Sequence, residues 1–137
     1  NLFHTELLYL KTKIRIKMTI RIGFPTSNPW AVPDHVEQMI DAGVDYIACD
    51  FQSEMSLTQR IIERENNDDL GYVSAAVPTY KDFIDDIVRK NIKIVANAGA
   101  LNPKGLARRF LDEVGEEDVT IAAVTGNNLR GKVPDLR

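Results

Sequence analysis

Asp50 and Glu54 are the two carboxylates in this chain best placed for acid and base chemistry. Asp50 directly follows the apolar run Tyr46-Ile47-Ala48-Cys49, and a charged residue just after a buried strand has few structural uses. Glu54 falls in the first turn of the helix expected next. Two carboxylates that close perturb one another, and one of them is then left protonated for acid work. Both also have a plainer reading, Glu54 as the negative charge that complements a helix N-terminus and Asp50 as a cap of its loop.

A second group of polar residues lies in Ile94-Val95-Ala96-Asn97-Ala98-Gly99-Ala100-Leu101-Asn102-Pro103. A buried-strand pattern there runs through a small-residue turn into a helix start. Gly99 permits backbone geometry that other residues resist, Asn102 can cap the helix, and Pro103 suits its first turn. Asn97 and Asn102 offer neutral donors and acceptors that can orient a ligand carbonyl. Lys104 stands close enough to the helix start to hold a phosphate or carboxylate; its other reading, shared with Arg108 and Arg109, is a solvated helix face. Gly23 and the stretch Thr125-Gly126-Asn127 complete the set of ligand-binding candidates. Neither GxGxxG nor GxxxxGK[ST] occurs, so no nucleotide loop is present. Trp30, Tyr72 and Tyr80 read either as lids over a ligand or as packing against an apolar edge.

These residues need elements to hold them. From Thr19 the pattern alternates strand and helix, with a breaker at each boundary. Strands are expected at Thr19 to Phe24, Asp45 to Phe51, Ile92 to Ala98 and Thr120 to Thr125. Helices are expected from Pro33 to Gly43, after Ser53 with Met55, Thr58, Ile61 and Ile62 on one face, over Tyr80 to Val88 with Thr79 capping, and over Pro103 to Val114. Gly71 to Pro78 has no clear period and fits a covered loop. The class is α/β, a parallel sheet of βα repeats with about four strands and four helices, either an open Rossmann-like sheet or part of a βα barrel. In both, the polar residues at the strand carboxyl ends share one rim.

Composition narrows the function classes. The 137 residues carry a net charge of −3 and are 44% hydrophobic, which suits one soluble core and no basic nucleic-acid face. No apolar run approaches the roughly 20 residues of a membrane span, so the cytoplasm is the expected location. Through Ile22, five basic residues stand against Glu6, so residues 1–18 read as a leader or upstream extension and residues 19–137 as the domain. The alternating Ile14, Ile16, Met18, Ile20 and Ile22 fit a longer first strand equally well. The lone Cys49 reads as a core thiol rather than a nucleophile, and His4 and His35 give no metal-ligand spacing. An unmatched sheet edge would favour self-association, and truncation would leave the same edge.

The succession IRIGFP, DYIACDFQSEMSL, LGYVSAAVP, IVANAGALNP and AVTGNNL resembles the acyclic terpene utilisation protein A family (AtuA-like) from Ile20 to about Leu129. Members of that family are several times longer, so the resemblance marks this chain as an amino-terminal part. It implies catabolism of acyclic terpenes, whose later intermediates are acyl-CoA thioesters, and it supplies no reaction, cofactor or catalytic residue. The expectation is an enzyme component acting on a small organic acid or CoA thioester, with Asp50 as acid/base. A non-catalytic binding or assembly module and an inactive fragment are the alternatives.

Overall fold

A computed structural model of the chain describes residues 19–25, 33–115 and 119–126. Its sheet has three parallel strands, β1 (Ile22–Gly23), β2 (Tyr46–Cys49) and β3 (Lys93–Ala96), in the spatial order β1-β2-β3. Helix α1 (Pro33–Asp41) joins β1 to β2. Three helices, α2 (Glu54–Asn66), α3 (Ala76–Lys81) and α4 (Ile84–Arg89), lie between β2 and β3, and α5 (Pro103–Val114) follows β3. The alternation in the sequence thus gives a parallel βα fold, because parallel neighbours can be joined only by a long crossover. Consecutive strand order is common to a barrel and to half of a doubly wound sheet.

The register pairs Ile22 with Tyr46 and Tyr46 with Lys93, and one step on it pairs Gly23, Ile47 and Ile94. Side chains alternate along a strand, so these two rows lie on opposite faces. Ile47 and Cys49 are buried with Val36, Ile40, Phe51, Tyr80 and Ile87 in the core beneath the helices. Each such large apolar side chain contributes about 1.5–3 kcal/mol. Gly23 belongs to this covered face; a Cβ there would stand 2.5 Å from Met39 Sδ, so a larger residue would force the Met39 side chain of α1 to shift. The opposite face is open, with Ile22 67% and Val95 59% exposed.

Several elements depart from the sequence pattern. The helix expected from Tyr80 to Val88 is two short helices, broken at Asp82 and Phe83. The first begins at Ala76, inside the stretch without a period. Pro78 is tolerated there because it stands in the first turn, where its missing N–H has no helical partner. Thr79 is therefore no cap: it is buried within α3, and its hydroxyl donates to the Ala75 carbonyl at 2.7 Å. Helix α2 has the expected Ser53 cap, in a reciprocal box with Ser56, yet none of its residues is buried and Met55 is 84% exposed. Residues 120–125, expected as a fourth strand, join no ladder, and Val124 is 88% exposed. The described residues thus hold three strands and five helices, where about four of each were expected. The suggested strand through Ile14, Ile16 and Met18, and Trp30, lie outside the described residues.

Candidate functional site

One step past the last ladder pair, Cys49 with Ala96, the register brings Asp50 beside Asn97. Asn97 Nδ2 donates to Asp50 Oδ1 at 2.6 Å, and the Phe51 N–H donates to Asn97 Oδ1 at 2.7 Å. Since a backbone N–H can only donate, this contact fixes which way the Asn97 amide points. The Gln52 N–H adds a second donor to Asp50 Oδ1 at 3.0 Å, a local turn in which an aspartate accepts from the residue two places on. Gln52 Nε2 in turn donates to the Asn97 carbonyl. The ends of β2 and β3 are therefore fastened around one carboxylate, on the row that belongs to the open face of the sheet.

These hydrogen bonds favour the ionised form of Asp50. Donation from Asn97, and then from the Gln52 N–H, holds its pKa below the ordinary aspartate value, against a smaller upward push from burial. Asp50 is thus kept as an ionised carboxylate, whereas a carboxylate neighbour would have pushed it the other way. Glu54 sits exposed at the first position of α2, where its charge complements the helix N-terminus.

Asn102 is engaged differently. Its Oδ1 caps α5 by accepting from the Gly105 N–H at 3.0 Å, and its Nδ2 donates to the Asp69 and Leu70 carbonyls at 3.0 and 3.2 Å. The loop after α2 is stitched onto the same turn by bonds from the Leu101 N–H to the Gly71 carbonyl and from the Val73 N–H to the Ala98 carbonyl. Gly99 is required for a reason other than free backbone geometry. A Cβ there would lie 2.6 Å from Pro103 Cβ and 2.8 Å from its Cα, and it is Ala100 that takes the left-handed backbone, at φ 44°.

The remaining candidates are dispersed. Lys104 is exposed in the first turn of α5, Gly23 is packed under α1, and Thr125 and Gly126 are exposed beyond the last described element. Asn127 lies outside the described residues. Among the described residues no three His, Cys, Asp or Glu side chains gather as a metal ion would require. Cys49 is buried; desolvation pushes its thiol pKa up, the bond to Tyr80 pulls it down, and the Asp50 charge raises it again. Tyr80 packs edge-on against Phe51, with ring centroids 6.3 Å apart. Gln52 was not among the candidates, and its signal was only its place two residues after Asp50.

The sequence now has a place among known proteins. The family model for the acyclic terpene utilisation family protein AtuA matches residues 20–137. This chain belongs to the AtuA family. No curated protein and no solved structure matches it. Every segment that places the AtuA rim residues at strand ends lies within the matched range. Behind β3, an apolar cavity of about 540 Å³ lies among Tyr80, Ile87, Ile94, Leu106, Phe110 and Ile121. Apart from Tyr80, none of the described site candidates lines it. No helix among the described residues is long and apolar enough to cross a membrane.

Proposed function

We propose that this AtuA-family chain is part of a cytoplasmic catabolic enzyme that acts on a small organic acid or its CoA thioester, with Asp50 as the reacting carboxylate. One observation carries the reading: a carboxylate sits where two parallel strands end, with Asn97 and Gln52 holding its Oδ1. Strand carboxyl ends are where α/β folds bind ligands. Held ionised, Asp50 enters the reaction as a proton acceptor rather than as an acid, and desolvation under a bound ligand would raise its basicity. Lys104, beside the N–H groups that open α5, suits the phosphates of CoA.

The lowered pKa also favours a second reading, a binding module in which Asp50 only orients its ligand, because a weakly basic carboxylate is a poor proton acceptor. Thermal-shift screening of the full-length protein with acyl-CoAs, free terpenoid acids and divalent metals tests both. Stabilisation by none of them sinks the small-acid reading. Asp50→Asn keeps an oxygen for the Asn97 and Gln52 donors, so the melting temperature should stay nearly unchanged while turnover of any stabilising ligand is lost. Retained turnover would leave Asp50 a binder, and a large drop in melting temperature would make it structural.

A further inference from the structure

We infer that Asn97 is a positioning residue for Asp50: it locks the carboxylate by its Oδ1 and leaves Oδ2 as the oxygen presented to a ligand. The inference rests on the reading of Asp50 as the reacting group. Three contacts tie Asn97 to the end of β2: its Nδ2 to Asp50 Oδ1, its Oδ1 to the Phe51 N–H, and its carbonyl to Gln52 Nε2. The acceptor and one N–H of its amide are committed there, which makes holding Asp50 its first role and leaves its second N–H for a substrate carbonyl. Asp50 Oδ1 receives two donors, from Asn97 and from the Gln52 N–H, while among the described residues Oδ2 receives none. The carboxylate therefore cannot turn without breaking two bonds at once, and the oxygen left over is an acceptor for a hydroxyl or N–H on the ligand.

The groups that act on Asp50 are few. Among the described residues they are the Asn97 amide on the β3 side and the Gln52 N–H in its own loop, opposed by partial burial, with neither a cation nor a second carboxylate. Cys49, the preceding residue of β2, is buried and has its own pKa pushed up, first by desolvation and to a smaller extent by the Asp50 charge. Removing the Asn97 amide takes away the largest cause of the depression.

The test is an NMR titration of the Asp50 side-chain carboxyl carbon in the full-length protein, as wild type, Asn97→Ala and Asn102→Ala. The wild-type carboxyl should titrate below the ordinary aspartate range. Asn97→Ala should move it upward, and Asn102→Ala, which cuts a cap in the same turn, should leave it in place. An unmoved titration in Asn97→Ala, or equal movement in both variants, overturns the inference. Should Asn97→Ala not fold, Asn97→Ser, too short to bridge to Oδ1 as the amide does, gives the same reading. Failure here is separable from failure of the functional reading: if ligand stabilisation and turnover survive Asp50→Asn, the function falls while the titrations still report whether Asn97 holds the carboxylate.

Discussion

Asn97 and Asn102 flank a single turn, and the structure uses their identical amides in opposite ways. Asn102 gives its oxygen to the Gly105 N–H and its nitrogen to the Asp69 and Leu70 carbonyls, so its hydrogen bonds go to backbone and serve the scaffold. Asn97 gives its nitrogen to an ionisable side chain on the neighbouring strand. The difference lies in what stands opposite. A backbone partner makes an asparagine a fastener, whereas a carboxylate partner at an open rim ties it to the candidate site.

Gly99 holds both arrangements together, and changing it should have the largest effect. In Gly99→Ala the new Cβ meets Pro103 Cβ at 2.6 Å and Cα at 2.8 Å, and the second of these is backbone at the start of α5. Overpacking of that kind costs about 1–3 kcal/mol. Urea unfolding should show a loss in that range, together with weakened protection of the Gly105 amide. Unchanged stability would mean that the turn has slack, and that the two asparagines are not held by one constraint.

Asn102→Ala should come next, at about 1–2 kcal/mol, chiefly from the lost cap and also from the lost donor to the Asp69 carbonyl, since the Leu70 carbonyl keeps its bond from Arg64. Ligand-induced stabilisation should survive in this variant. If ligand binding disappears while the fold persists, Asn102 is a site residue after all and the contrast with Asn97 fails.

The cap was legible in the sequence because its parts are neighbours: a polar residue, a proline and a glycine at fixed offsets specify a helix start without reference to the rest of the chain. The pairing of Asp50 with Asn97 was not legible. It spans 47 residues, and it depends on the register of β2 against β3, where a slip of one residue would send Asp50 to the other face. Periodicity likewise cannot show the break between α3 and α4, since Tyr80, Phe83, Ile84 and Ile87 keep helical spacing across it, and Pro78 reads as a breaker although it stands in a first turn. The βα alternation itself was readable, because each strand and helix carries its own period and its own stop signal. Thr120 to Thr125 shows the limit: a strand-like composition does not by itself make a strand, and these residues join no ladder although β3 is an edge of the described sheet.

The smallest expected effect separates the two asparagines most cleanly, because it reads charge rather than packing. Asp50 has a lowered pKa in the folded chain, so its ionisation stabilises the fold above the ordinary aspartate pKa, and that contribution is lost as pH falls through the lower folded value. Glu113 has the same sign, chiefly through its hydrogen bond from Arg109, so the acid limb of the whole chain is a composite. Subtracting one variant from wild type removes Glu113 from the comparison. The stability deficit of Asn97→Ala should be largest near neutral pH and shrink below about pH 4, as Asp50 takes up its proton in both proteins and the charged acceptor disappears. The deficit of Asn102→Ala should stay level over the same range, because its partners are neutral carbonyls and an N–H. If the Asn97→Ala deficit is equally flat in chemical denaturation from pH 7 to pH 3, Asn97 acts only through the Phe51 N–H and the Gln52 side chain. It would then be a second fastener, and the two ends of the turn would do the same work.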